Sequence, residues 1–279
     1  ATPEEIKRLF KNARIIGRRF KIVHIRFGRE IIEVTTFRAH HDPQNEIADD
    51  ASRRQIRGLD SAHSSSGMIL RDNVYGDIDQ DALQRDFTVN ALYYTLDHFR
   101  VLDFSTGMED LDKKEIRIIG DPATRYREDP VRMLRAIRFS AKLGFSIEES
   151  TQRPFDQLGH LLNSVSRARL FDETLKLLAG GHAAVTFEKL RNFHLGPYLF
   201  APTLEAMKQA ELPWGKLIDL ALENTDKRLT MGKSVTPAFL FAAILWPVLK
   251  LHLTQPVSPG MNRHQHFIQA ANQTFLEQL

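Results

Sequence analysis

The sequence predicts an α/β part followed by an all-α part. Three observations carry this reading. Two β-type runs with hairpin spacing lie near the start, Phe20–Phe27 and Ile31–Phe37. Short β-type runs return at Val101–Phe104 and Ile116–Ile119. From Asp121 onward the sequence reads almost only as helices. The 279 residues are 42% hydrophobic and 26% charged, as in ordinary globular proteins, with ample length for a core.

The first helix begins at Thr2-Pro3-Glu4-Glu5. Thr2 can cap it, proline suits the first turn, and the acids favour the positive end of the dipole. It is expected to end near Phe10. Gly28-Arg29-Glu30 separates the two β-type runs. In the second run Ile31, Glu33, Thr35 and Phe37 share a strand face, so Glu33 sits among apolar side chains. Residues 39–67, opening on His40-His41-Asp42-Pro43 and closing on Ser64-Ser65-Ser66-Gly67, lack period and apolar content and read as a long mobile loop. A helix is expected from Asp79 to about Leu96, with Leu83, Phe87 and Ala91 as its buried stripe and Asp86 and Asn90 on another face. A turn at Gly107 joins the two later strands. Asp129-Pro130 starts a helix that Gly144 ends. Further helices are expected over about 167–179, 183–193, 203–210, 214–224 and 237–250, then a tail rich in Pro, Ser and Gly and a last helix.

Composition excludes several classes of chemistry. Cysteine is absent, which removes disulfides, zinc–thiolate sites and cysteine nucleophiles. The longest apolar run, Ala238–Leu249, is too short to span a bilayer, so no membrane partner is expected and its Phe239, Phe241 and Trp246 read as core. With no signal peptide visible, the cytoplasm is the expected compartment. There is no Walker A glycine loop, no GxGxxG and no nucleophile elbow. The formal charge of +3, from 38 Lys+Arg against 35 Asp+Glu, points only weakly to nucleic acid. The placement of the arginines says more.

The strongest cluster runs from Arg127 to Phe139. Asp129 and Arg132 are three apart and Glu128 and Arg132 four apart, which on one helix makes them neighbours. A carboxylate beside a guanidinium can match adenine: Asp accepts from the N6 amino group and Arg donates to N1. Arg135 lies one turn along, within reach of phosphates or the base. A solvated helix carrying surface ion pairs is the plainer reading of the same spacing. The second cluster is Arg85-Asp86-Phe87-Thr88-Val89-Asn90, where Arg, Asp and Asn can hold a triphosphate, a metal or a ribose, or simply bond one another. Glu33 is the third: a carboxylate on an apolar strand face needs a metal, a substrate hydroxyl or a partner such as Arg38. His40-His41-Asp42 is a lesser candidate, an His-Asp pair of the kind metal phosphohydrolases use. His24 reads as a packed or hydrogen-bonded histidine, and Arg167, Arg169 and Lys176 as phosphate contacts or solvated charges.

Three segments resemble the class II tRNA nucleotidyltransferase/poly(A) polymerase family, and within it the bacterial poly(A) branch: Gly67–Gly76 (GMILRDNVYG), Arg85–Tyr94 (RDFTVNALYY) and Arg125–Phe139 (RYREDPVRMLRAIRF). The last two are shared with CCA-adding enzymes, whereas the first, with Leu170–Leu178, looks specific to the poly(A) branch. The resemblance implies template-free addition of AMP from ATP to a single-stranded RNA 3′ end, with Mg2+ as cofactor. It implies a truncated nucleotidyltransferase mixed-sheet head over 1–118, a helical neck for base recognition over 119–200 and a helical RNA-binding body over 201–279. By motif match Asp86 is an active-site carboxylate, with Glu33 an acidic position beside the catalytic pair. Arg85, Arg132 and Arg135 match nucleotide-binding arginines, and Asn90 and Arg138 are counted with them. Asp129 and Arg132 match the base-reading pair, with Glu128 orienting the arginine. One departure matters: the family's Gly-Gly-x-x-Arg-Asp and its strand-borne Asp-x-Asp do not occur, since Asp77-Ile78-Asp79, Asp79-Gln80-Asp81 and Asp110-Leu111-Asp112 follow no paired glycines. The expectation is therefore a fragment, beginning after the principal metal ligands and inactive alone. CCA addition and a non-catalytic RNA-binding module are the alternatives.

Overall fold

The computed structural model describes residues 1–17, 21–39, 46–47, 61–64, 69–72, 75–209, 214–257 and 260–278. The chain divides into two compact units, Ala1–Asp129 and Pro130–Leu279. The first mixes small sheets with short helices; the second is almost wholly helical, as the patterning predicts.

In the first unit, helix α1 (Pro3–Leu9) opens on a capping box: the Glu5 N–H donates to the Thr2 hydroxyl and the Thr2 N–H to the Glu5 carboxylate. Strands β1 (Ala13–Ile16), β2 (Ile22–Phe27) and β3 (Glu30–Val34) follow as an antiparallel meander. The sequence reading missed β1, a short strand with Lys11-Asn12 just before it. Gly28 makes the β2–β3 turn at a φ of 60° that a side chain would resist. Val23 and Ile25 point inward and join Ile6 and Ala13 in a core that seats α1 on the sheet. A second sheet places strand Ser61–Ser64 between Glu46–Ile47 and Ile69–Asp72. The stretch expected to be one long loop therefore contains strands. The rest of it, His40-His41-Asp42 included, lies outside the described residues, as does part of the Gly67–Gly76 segment.

The helix expected over Asp79–Leu96 is corrected to Ile78–Gln84. Arg85 leaves helical geometry at φ −58°, ψ 162°, and Phe87 bridges to Ile118. A 3₁₀ turn, Thr88–Asn90, leads into strand Leu92–Thr95, which pairs with Arg100–Asp103. The β-branched and aromatic side chains after Asp86 favour this pleated packing over a helix. Phe87 and Ala91 are buried as expected, but Leu83 is 42% exposed, so the three are no helical stripe. Gly107 does not make a turn between strands; it begins helix Gly107–Lys113, which packs on the 3₁₀ turn so closely that a Cβ would lie 2.6 Å from the Thr88 carbonyl oxygen.

Helix Pro122–Glu128 ends the first unit, and Asp121 caps it by accepting from the Thr124 N–H at 2.8 Å. Asp129 is extended (φ −153°, ψ 93°), because the following proline disfavours helical geometry there. It therefore ends one helix and does not begin the next. The expected helix from Asp129 to Gly144 is Val131–Leu143, closed by Gly144 at φ 68°. Glu128 and Asp129 thus do not share a helix with Arg132, contrary to the spacing argument.

In the second unit the helices Arg167–Leu178, Ala183–Asn192, Pro197–Gln209, Trp214–Thr230, Pro237–Leu253 and Arg263–Gln278 match the expected set, several running longer. Both carboxylate oxygens of Asp226 accept from the first N–H groups of Ala183–Asn192, at 2.7 Å and 3.0 Å. In Pro237–Leu253 the residues Leu240, Ile244, Leu245 and Val248 are buried, whereas Phe239 and Trp246 are not, so the core reading holds for one face only. Among the described residues no helix is long and apolar enough to cross a membrane.

Candidate functional site

A polar cluster of the first unit is organised by Asp81, 2% exposed on helix Ile78–Gln84. A buried carboxylate must be paired or it is strongly destabilising. Asp81 Oδ2 accepts from Arg85 Nη2 at 2.8 Å, from Arg85 Nε at 3.1 Å and from the Tyr93 hydroxyl. Asp81 Oδ1 accepts from the Arg38 N–H at 3.0 Å, with Arg38 Nε 3.5 Å away. Tyr93 comes from the strand after the 3₁₀ turn and is held edge-on by Phe37 and Phe104. Burial pushes the Asp81 carboxyl up, but the Tyr93 hydroxyl, the Arg85 guanidinium and the Arg38 N–H outweigh it and hold it below its ordinary value. Burial, with the bond to Asp81, pushes the Tyr93 hydroxyl up to about 12. Burial pulls the Arg85 guanidinium down, but the charge of Asp81, the Tyr93 hydroxyl and the hydrogen bonds to both together outweigh it and hold it above its ordinary value. Two guanidinium groups thus meet one carboxylate. Arg85 stays about one-third exposed at 35%, fixed in direction yet open to an anion.

Asp86 follows on the other side of the chain turn. Its Oδ1 accepts from the Phe87 N–H at 3.1 Å and from Asn90 Nδ2 at 3.4 Å. The expected Asp86–Asn90 link exists, but across a 3₁₀ turn and not along a helix. The Asp86 peptide is pinned by neighbours: Ile119 N–H donates to Asp86 O at 3.0 Å and Thr88 N–H to Arg117 O at 3.0 Å. Beneath lies Asp110, 1% exposed, which accepts from Thr88 Oγ1 at 2.7 Å and Arg117 Nε at 3.0 Å.

Arg125 contacts the same turn from behind. It is 8% exposed; its Nη2 donates to the Gln84 and Arg85 carbonyls at 2.8 Å and 2.6 Å, and its Nη1 donates to Glu128 at 2.9 Å. Glu128 is therefore partnered by the arginine three residues before it. Glu33 is 64% exposed on β3, and its carboxylate lies 3.0 Å from His24 Nε2. The apolar face expected around it is itself exposed, with Ile31 at 54%, and Arg38 serves Asp81 instead.

In the second unit Arg132 is buried at 8% exposure near the start of Val131–Leu143. Arg135 and Arg138 are half-buried on the same helix, their guanidinium carbons 5.7 Å and 4.6 Å from the Phe139 ring centre. Asp129, 9% exposed, belongs to the first unit. Lys176 is tied to Glu173 at 2.7 Å, and Arg167 is exposed.

The metal that the resemblance implies does not fit these groups. Asp81 is engaged by Arg38, Arg85 and Tyr93, and Asp110 by Thr88, Thr106 and Arg117. Among the described residues no three His, Asp or Glu side chains gather as a cation site. Sequence reasoning missed Asp81, Tyr93 and Arg125, and it offered Arg38 to Glu33 where the structure pairs it with Asp81. Asp81 and Arg85 are four apart, the spacing of an ion pair on a helix, and that signal was available. Nothing in the sequence pairs residue 125 with carbonyls 40 and 41 positions earlier.

Residues 1–117 match the family described as poly A polymerase head domain, and residues 144–208 match the probable RNA and SrmB-binding site of polymerase A. The chain is 45% identical over 275 residues to poly(A) polymerase I of Escherichia coli O6:H1, covering 98% of this chain and 57% of that protein. A CCA-adding enzyme of Lactobacillus helveticus is more distant, at 34% identity over 188 residues, covering 67% of this chain and 42% of that protein. The chain thus spans little more than half the length of the poly(A) polymerase it matches. In fold it is similar to the Bacillus stearothermophilus CCA-adding enzyme in complex with CTP, with a TM-score of 0.59 at 22% identity, covering 99% of this chain and 72% of that one.

Proposed function

The chain belongs to the poly(A) polymerase family, and on that premise we propose that it forms the nucleotide- and primer-handling part of a polynucleotide adenylyltransferase of the bacterial cytoplasm. The substrates are ATP and a single-stranded RNA 3′ end. In the reaction the terminal hydroxyl oxygen attacks the α-phosphorus of ATP, the bond to the β-phosphate oxygen breaks, and pyrophosphate and a proton leave. One observation carries the reading: the Arg85 guanidinium is held by Asp81 and Tyr93 while remaining open to solvent. A cation fixed before substrate arrives can meet a triphosphate without first being ordered. Asp86, whose Oδ1 is oriented by the Phe87 N–H, is the acidic group nearest to Arg85 in sequence and the one assigned to the active centre. Asn90 supports that carboxylate. Asp129 and Arg132 are assigned to the adenine, the carboxylate accepting from N6 and the guanidinium donating to N1. Arg135 and Arg138 are assigned to phosphate. Magnesium finds no fitting ligand set among the described residues. Glu33, whose carboxylate lies 3.0 Å from His24 Nε2, is kept as an acidic position of the head and is given no chemical step.

The test is a nucleotide panel. A full-length protein carrying this chain is offered an RNA primer with ATP, CTP, GTP or UTP, one at a time. The expected product is a homopolymeric A tail. Efficient incorporation of CTP would move the protein to CCA addition, and RNA binding without incorporation would make it a binding module. Arg132→Ala should reduce the preference for ATP by about 1–3 kcal/mol, the discrimination of a bidentate base contact in duplex grooves. An unchanged preference would remove Arg132 from base selection.

A further inference from the structure

Arg125 is a buried guanidinium whose donors go to two different segments. Nη2 reaches the Gln84 and Arg85 carbonyls, which close helix Ile78–Gln84, and Nη1 reaches the Glu128 carboxylate. The first segment carries Arg85 and Asp86; the second carries Asp129. Both lie within Ala1–Asp129. Glu128 keeps the guanidinium in place, so the two carbonyls are bonded by a group that cannot swing away. The Arg85 backbone then stays in the geometry that folds its side chain back onto Asp81.

We propose that Arg125 is a positioning residue that holds the Arg85–Asp86 peptide in register with the Glu128–Asp129 segment, so that phosphate placement and base selection are set together. The inference rests on the nucleotide-handling role argued above. It assigns to Arg125 no contact with substrate. Coupling of this kind predicts a specific pattern. A defect at Arg125 should change which nucleotide is chosen, and it should act through the same link as a defect at Glu128.

The experiment measures kcat/KM for ATP and CTP in the full-length protein, with thermal unfolding as a parallel readout. Arg125→Lys keeps the charge but puts one ammonium nitrogen where the planar fork places two, so it cannot stand at the Nη1 and Nη2 positions at once. The ATP:CTP ratio should fall about tenfold, the scale of one lost charge-assisted hydrogen bond, with a raised KM for ATP. Glu128→Gln should produce a similar fall, and the double variant should be no worse than the stronger single one. Should Arg125→Lys fail to fold, Glu128→Gln carries the test, since it leaves both carbonyl bonds in place. A wild-type protein without ATP preference would overturn the proposed function and this inference with it. An ATP preference in the wild type that survives both substitutions, or two independent and additive losses, would overturn the inference alone.

Discussion

Tyr93 shows how a single residue in this site makes stability depend on pH. Its hydroxyl donates to Asp81 and accepts from Arg85 Nε at 3.2 Å. Burial raises it to about 12 from an ordinary value of 10.0. Between those values the folded state holds a proton that the unfolded state has released, so stability falls as pH rises through that window and is fully present below it. Tyr93→Phe removes both the bond and the titration. The wild type should be the more stable at pH 8, and its advantage should shrink between about pH 10 and 12, measured by urea unfolding. A constant gap would show that Tyr93 does not keep its proton through the hydrogen bond. Asp81 gives the opposite sign. Its carboxyl is held below the ordinary range, so its contribution is present above about pH 4 and lost as pH falls through its lowered value.

At the level of elements, a helix here can be fixed by a carboxylate from a distant part of the chain. Asp226, on Trp214–Thr230, caps Ala183–Asn192 with both oxygens. Asp226→Ala should destabilise the protein by about 1–2 kcal/mol, the usual effect of losing a good N-cap, as read by a shift in urea midpoint without a change in slope. No shift would mean that the helix finds other acceptors. These remote links also explain what could be read from sequence. The long helices of the second unit announce themselves, because their period, caps and terminal glycines are local. The helix over Asp79–Leu96 was overextended because Leu83, Phe87 and Ala91 share a period of four that a helix, a turn and a strand can equally carry. The carbonyls at the end of that helix are bonded by Arg125, beyond the reach of any window. The same holds for the site. Arg85, Asp86 and the arginines of Val131–Leu143 stand out by motif, whereas Asp81 and Tyr93, which fix the direction of Arg85, have ordinary local surroundings. Asp129 and Arg132 were placed on one helix by spacing, and Pro130, plain in the sequence, was the reason to separate them.

Across the whole molecule, charge differs between the two units. The positive excess of the chain is carried by residues 130–279, while residues 1–129 are slightly acidic. The region matching the family's probable RNA-binding site lies within the basic unit, and the head match within the acidic one. Binding to a polyanion releases counterions, so affinity for single-stranded RNA falls with salt at a log–log slope of about −0.7 per phosphate neutralised. ATP offers few phosphates, and Arg85, the group assigned to it, is already braced by Asp81 and Tyr93. RNA affinity should therefore drop steeply when salt is raised from about 50 to 200 mM, while ATP affinity changes much less. Measuring both by anisotropy or calorimetry on the same preparation separates the two. If RNA affinity proved as indifferent to salt as ATP affinity, the basic unit would not be gripping the backbone. Primer binding would then have to come from base stacking, which is only weakly sensitive to salt, and the exposed aromatic rings of Phe171, Phe239 and Trp246 would be the first groups to substitute.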